Sequence, residues 1–178
     1  SIFVTSGAAP QPIPSGLGDV VTAAFSPSAT GANDGTQFDI LGRGGYLAAN
    51  GTLGIPGTLR IGFGGVTETP NNFQGYWKDD GSGLKRLVRS GDPAPGTGGA
   101  LFNAIPTIPV PGLNATGDVT LLSALRIGSG TPAVTASDDS AMWSEVGGSG
   151  LQLLMRESDP VPGISGAFVG SFGYGSYA

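Results

Sequence analysis

LKRLVRSGDPAPGTGGA, Leu84 to Ala100, returns as LQLLMRESDPVPGISGA, Leu151 to Ala167, with nine of seventeen positions identical at an offset of 67. The copying reaches upstream: Leu59-Arg60-Ile61-Gly62 recurs as Leu125-Arg126-Ile127-Gly128 and Trp77 as Trp143, each 66 residues on. Self-similarity at a fixed period marks an array in which one supersecondary unit buries its apolar face only against its neighbours. A fainter copy opens the chain, where Phe3-Val4-Thr5-Ser6-Gly7 aligns with Leu87 to Gly91 at an offset of 84 and lacks both the arginine and the aspartate. The 178 residues then divide into a degenerate first repeat with an insertion (1–58), a second repeat (59–124) and a third, truncated one (125–178). We expect these to pack as one continuous β body.

Helical periodicity is almost absent, because Gly and Pro interrupt every long apolar window. Short segments of strand character appear instead between turn dipeptides: 2–5, 20–25, 37–41, 58–63, 75–78, 85–89, 119–125, 141–145, 152–156 and 167–172. The expected fold is all-β, built from tandem antiparallel β-meander repeats of about 66 residues. Each repeat is the size of a propeller blade or of one layer of a solenoid or sandwich.

Charged residues are only 12% of the chain, about half the usual share, and the net charge is −5 with no cationic run. Phosphate neutralisation needs clustered cations, so nucleic acid is excluded as a partner. No apolar stretch is long enough for a helical membrane span. The absence of Cys, the low charge and a first residue other than Met point to an extracellular or cell-surface location.

Without His or Cys the chain has no His-based triad, thiol nucleophile or thiolate zinc site. The thirteen acids fall mostly in turns, so no carboxylate pair stands out for glycosidase chemistry, and the expectation is a non-enzymatic protein with no cofactor. Adjacent acids at Asp79-Asp80 and Asp138-Asp139 offer oxygen ligands to Ca²⁺, but they fit no EF-hand or Gly-Gly-x-Gly-x-Asp spacing and read as polar turns. Arg89 with Asp92 and Arg156 with Asp159 share the pattern Arg-x-x-Asp-Pro, in which an ion pair or an Asx-type bond anchors the turn after each basic strand. Asn50 and Asn114 head glycosylation sequons at nearly equivalent repeat positions, where a turn asparagine is the simpler reading. Trp77 and Trp143 read as core anchors before they read as a sugar platform.

The pattern Leu-x-x-Leu-x-Arg-x-x-Asp-Pro-x-Pro-Gly resembles the tandem repeat of large secreted bacterial proteins bearing exosortase-type sorting tails. There an Arg-Glu-Gly-Asp-x-Ala-Pro-Gly segment precedes a Phe strand and an Asn-x-x-Gly strand, as Arg89 to Gly96, Phe102 and Asn114 to Gly117 do here. The resemblance covers about residues 59–170 and implies an extracellular propeller-like repeat without assigned catalytic residues. This chain departs from it in its length, its worn first copy and the lack of a sorting tail.

Uncharged segments lie at both ends, Ile2-Phe3-Val4-Thr5 and a C-terminal stretch with Phe168, Val169, Phe172 and Tyr174. Uncharged strand edges template pairing with another chain. The expected function is a structural subunit that joins copies of itself head to tail by terminal strand addition into a surface fibre or sheath. The alternative is a monomeric propeller-like adhesion or carbohydrate-binding module, with glycans as partners.

Overall fold

The computed structural model describes residues 3–4, 11–12, 36–41, 46–105, 112–145 and 150–172, and these contain twelve strands and no helix. The strands are β1 (Phe3–Val4), β2 (Gln11–Pro12), β3 (Phe38–Leu41), β4 (Tyr46–Leu47), β5 (Leu53–Leu59), β6 (Gln74–Asp79), β7 (Leu84–Arg89), β8 (Phe102–Ala104), β9 (Gly112–Leu113), β10 (Val119–Leu125), β11 (Ser140–Ser144) and β12 (Gln152–Arg156). β1 and β2 form a small antiparallel pair. The rest make two five-stranded antiparallel sheets that do not close into a barrel.

The two sheets are copies of each other. The first runs β3-β5-β6-β7 with β4 also on β5, and the second runs β8-β10-β11-β12 with β9 also on β10. In each, the outer edge is two short strands rather than one. In the first sheet, β4 pairs with Leu53 and Gly54 while β3 pairs with Gly57 to Leu59. Ile55 and Pro56 fall in the break, and Pro56 is a residue that cannot donate to a ladder. Between β6 and β7 the chain reverses on Asp79, whose Oδ1 accepts the N–H groups of Gly81 (2.8 Å) and Gly83 (3.1 Å). Both glycines sit at positive φ, 93° and 106°, where a side chain is strained.

Alternation along the strands decides what each face buries. In β6, Trp77 turns one way and packs edge-on against Phe38 (centroids 4.6 Å, 67°) within a cluster of Ile55, Leu59, Val66 and Leu84. Its neighbour Tyr76 turns the other way and, with Val88, joins the core of the second sheet: Phe102, Leu121, Leu125 and Trp143. There Trp143 repeats the edge-on contact with Phe102 (4.7 Å, 62°). Both tryptophans are fully buried and present no ring face to a ligand.

The all-β class and antiparallel order agree with the sequence reading, and segments 119–125 and 152–156 coincide with β10 and β12. Of the segment 58–63 only Thr58 and Leu59 lie in a strand. β5 ends at Leu59, and Gly62 takes φ 88° in a turn whose N–H bonds the Val66 carbonyl at 2.9 Å. The alternating Leu-Arg-Ile-Gly-Phe therefore marks a strand exit, while the true strand hides behind Gly54, Pro56 and Gly57. Segment 167–172 contributes only a bridge between Pro160 and Phe168. Segment 20–25 lies outside the described residues. The sheets span 38–89 and 102–156, so repeat boundaries at Leu59 and Leu125 fall on the last residues of β5 and β10.

Truncating Phe102 to Ala removes the ring that supports Trp143 and should lower stability by about 3–5 kcal/mol in chemical denaturation. Ile127→Ser, at an exposed position of the repeated Leu-Arg-Ile-Gly, should stay within about 0.5 kcal/mol.

Candidate functional site

Each basic strand ends in the same reciprocal turn. The Arg89 backbone N–H donates to Asp92 Oδ2 at 2.8 Å, and the Asp92 N–H donates back to the Arg89 carbonyl at 3.0 Å. Arg156 and Asp159 repeat this at 2.9 and 3.0 Å. The aspartate therefore binds the arginine backbone and leaves the guanidinium for another task. Arg89 Nε donates to the Asn72 carbonyl, and Arg156 Nε to the Asp138 carbonyl at 2.7 Å, so each arginine ties the loop ahead of β6 or β11 to the turn. Arg156 adds an ion pair to Asp138 Oδ2 at 2.7 Å.

The Pro-x-Pro-Gly that follows crosses to the next sheet. In the first copy Trp143 Nε1 donates to the Pro95 carbonyl at 3.0 Å, and Ser129 Oγ accepts the Leu101 N–H at 3.1 Å. A Cβ on Gly96 would stand 2.8 Å from Leu153 Cβ, so the contact admits only glycine there. Polar links complete the junction. Lys78 Nζ meets Glu145 Oε2 at 2.7 Å, and the same oxygen accepts the Val119 N–H. Asn71 Nδ2 donates to the Asn103 carbonyl at 2.8 Å, and Arg126 Nη2 donates to the Asn71 carbonyl at 2.8 Å. Arg126, Arg89 and Asp92 line a cleft of about 240 Å³ at this junction.

Set in register, the second unit shows the same surface uncovered. Tyr76 and Val88, buried by the second sheet, correspond to half-buried Met142 and to Met155, which is 40% exposed. Ala94, Thr97 and Ala100 are buried in the first turn. Their counterparts are half-buried Val161 and Ala167, and Ile164 at 60% exposure. Phe168, matching Leu101, is 65% exposed. At the opposite pole, Trp77 Nε1 is buried without an acceptor, whereas Trp143 Nε1 has Pro95.

The remaining sequence-predicted residues are placed as follows. Phe3 and Val4 pair with Pro12 and Gln11, while Ile2, Thr5 and Tyr174 lie outside the described residues. Val169 exchanges backbone bonds with Ser158 and Asp159 at 2.9 and 2.8 Å, and Phe172 is half-buried outside any strand. Asn50 Nδ2 donates across the junction to the Thr116 carbonyl (2.7 Å), and Asn114 caps its own turn through Thr116 and Asp118. Both sequon amides are thus in structural use. Asp80 accepts from Ser82, and Asp138 from Thr135. Among the described residues no group of three acids converges on a metal position. Arg126 is the junction residue that sequence reasoning missed. Its recurrence with Arg60 marked it, but nothing in the spacing placed it beside Arg89.

These features define an all-β tandem-repeat protein whose meander sheets stack through a proline-rich linking turn. Residues 62–177, more than half of the chain, match the model of the family of unknown function DUF7453, and the chain belongs to that family. No curated protein and no solved structure matches it.

Desolvation pushes the Asp138 carboxyl up, but the Thr135 hydrogen bonds and the Arg156 guanidinium outweigh it and hold the pKa below the ordinary carboxylate value. A depressed folded-state pKa contributes stability above the unfolded value, and that contribution is lost as pH falls through the folded one. Asp138→Asn should cost about 1–2 kcal/mol near neutral pH in urea titrations. The difference between variant and parent should begin to shrink as pH falls to the ordinary carboxylate value and vanish only below the depressed folded-state value.

Proposed function

We propose that this protein is a non-enzymatic extracellular structural subunit whose copies join head to tail into a surface fibre or sheath. The observation that carries the reading is the uncovered second copy of a surface that the chain buries in its first copy. Exposed Met155, Leu154, Ile164 and Phe168 form an apolar face that corresponds to the one covered by the second sheet within the chain. The occupant is a second copy of this chain that seats by another surface, since Ile55, Leu59, Trp77 and Leu84, the repeat counterparts of Leu121, Leu125, Trp143 and Leu151, are buried within the chain.

Such a contact joins two different surfaces and is heterologous, so it propagates as a filament unless the rotation closes a ring. The junction is then built on the uncovered face of the second sheet, which includes Phe168 of the C-terminal segment. The low share of charged residues and the resemblance to secreted repeat proteins support the extracellular part of the reading.

Sedimentation velocity and negative-stain imaging over a concentration series test this. The parent chain should form species that grow with concentration, and Ile164→Asp with Phe168→Asp should remain monomeric with unchanged circular dichroism. A parent chain that stays monomeric throughout, or a double variant that assembles equally well, overturns the proposal.

A further inference from the structure

The chain has no cysteine and two methionines, so Met142 and Met155 carry all of its sulfur. They are direct partners in the antiparallel pairing of β11 with β12. Residues opposite each other in such a ladder send their side chains to the same face of the sheet, with Cβ atoms about 4.5–5.5 Å apart. The same repeat positions in the first sheet hold Tyr76 and Val88, which pair in the same way and are buried in the core of the second sheet. The register of β12 then steps over Leu154, the counterpart of Leu87, which packs against that same core. Both methionines thus stand on the face that the chain leaves uncovered. Met155 is 40% exposed, Leu154 is exposed beside it, and Met142 is half-buried.

Sulfur gives this face a chemistry that its buried counterpart lacks. A thioether takes one oxygen atom from hydrogen peroxide: the O–O bond breaks, an S–O bond forms, the sulfur loses two electrons and the peroxide leaves as water. The product, methionine sulfoxide, is polar where the thioether was apolar. Trp77 and Trp143 are fully buried, so oxidation in the sheets falls on the methionine pair.

We propose that Met142 and Met155 form a reversible oxidation site that turns the uncovered face from an apolar, joining surface into a polar one that does not join. The oxidation needs only the accessible pair, whereas its effect on joining rests on the head-to-tail reading above. A sulfoxide oxygen carried from water into an apolar contact costs free energy unless a donor meets it there. A copy seated on the face also covers the pair, so the assembled chain is protected and the free chain is open to the oxidant.

Peptide mapping by mass spectrometry and sedimentation velocity of the full chain, before and after dilute hydrogen peroxide, test this. In the free chain Met155 should gain one oxygen ahead of Met142. The doubly oxidised chain should need at least a tenfold higher concentration to assemble, with unchanged circular dichroism. Methionine sulfoxide reductases of both stereospecificities should restore the parent behaviour. Met142→Leu with Met155→Leu keeps the face apolar and removes the sulfur, so this variant should assemble as the parent does and ignore peroxide. If the oxidised chain unfolds, Met155→Gln, polar and of similar length, takes its place and should show the same loss. The inference alone falls if the free chain resists oxidation, if the folded oxidised chain or Met155→Gln assembles at the parent concentration, or if peroxide still dissociates the leucine variant. An unoxidised parent that stays monomeric at every concentration overturns the head-to-tail reading, and this inference with it.

Discussion

An aspartate that accepts the N–H of an arginine three residues earlier is the constraint on which the two-sheet arrangement rests. Asp92 and Asp159 each close such a turn, with the return bond from their own N–H to the arginine carbonyl. The turn stops a basic strand and delivers a proline that cannot extend a ladder. It also frees the guanidinium to reach back to the preceding loop, so one residue pair ends a strand, fixes a loop and aims the linker at the next sheet. Because the linker then seats on Trp143 and Leu153, the sheets stack by their faces and remain separate sheets.

Much of this is legible in the residues. The recurrence of Arg-x-x-Asp-Pro-x-Pro-Gly predicts a stiff repeated turn, and the spacing of Trp77 and Trp143 predicts equivalent core anchors, both of which the fold contains. Local alternation locates strands where one face is buried, as in β10. It fails at β5, where Gly54, Pro56 and Gly57 carry no strand propensity and tertiary packing between β6 and the split outer edge decides. The arginine roles were half legible. Sequence spacing brings Arg89 and Asp92 together but cannot say that the bond uses the backbone, because the choice depends on where the Asn72 carbonyl lies.

The charged junction illustrates a second limit. Lys78 and Glu145 are 67 residues apart and their 2.7 Å contact has no local signature. Glu145 also accepts the Val119 N–H, so its carboxylate serves the ion pair and the start of β10 together. Pairs of this kind specify how two sheets meet more than how tightly they hold, because partial exposure screens the charges. The tight hold comes from Tyr76 and Val88 entering the second core.

Duplication makes each unit a control for the other. Where both keep a residue, as at the arginine, aspartate and tryptophan, the shared role is mechanical. Where they differ, the difference is interpretable against an otherwise equal background. Asn72 against Asp138 removes a charge while both side chains accept a threonine N–H, from Thr67 five residues earlier and from Thr135 three residues earlier. Gly91 against Ser158 changes a residue at positive φ, 85° and 68°, without changing the bond that its N–H makes to the segment after the turn, Phe102 or Val169. Val88 against Met155 changes a buried contact into an exposed one with no change of strand register. The last of these marks an uncovered face, and none of the three is required by the fold, because the other unit folds without it.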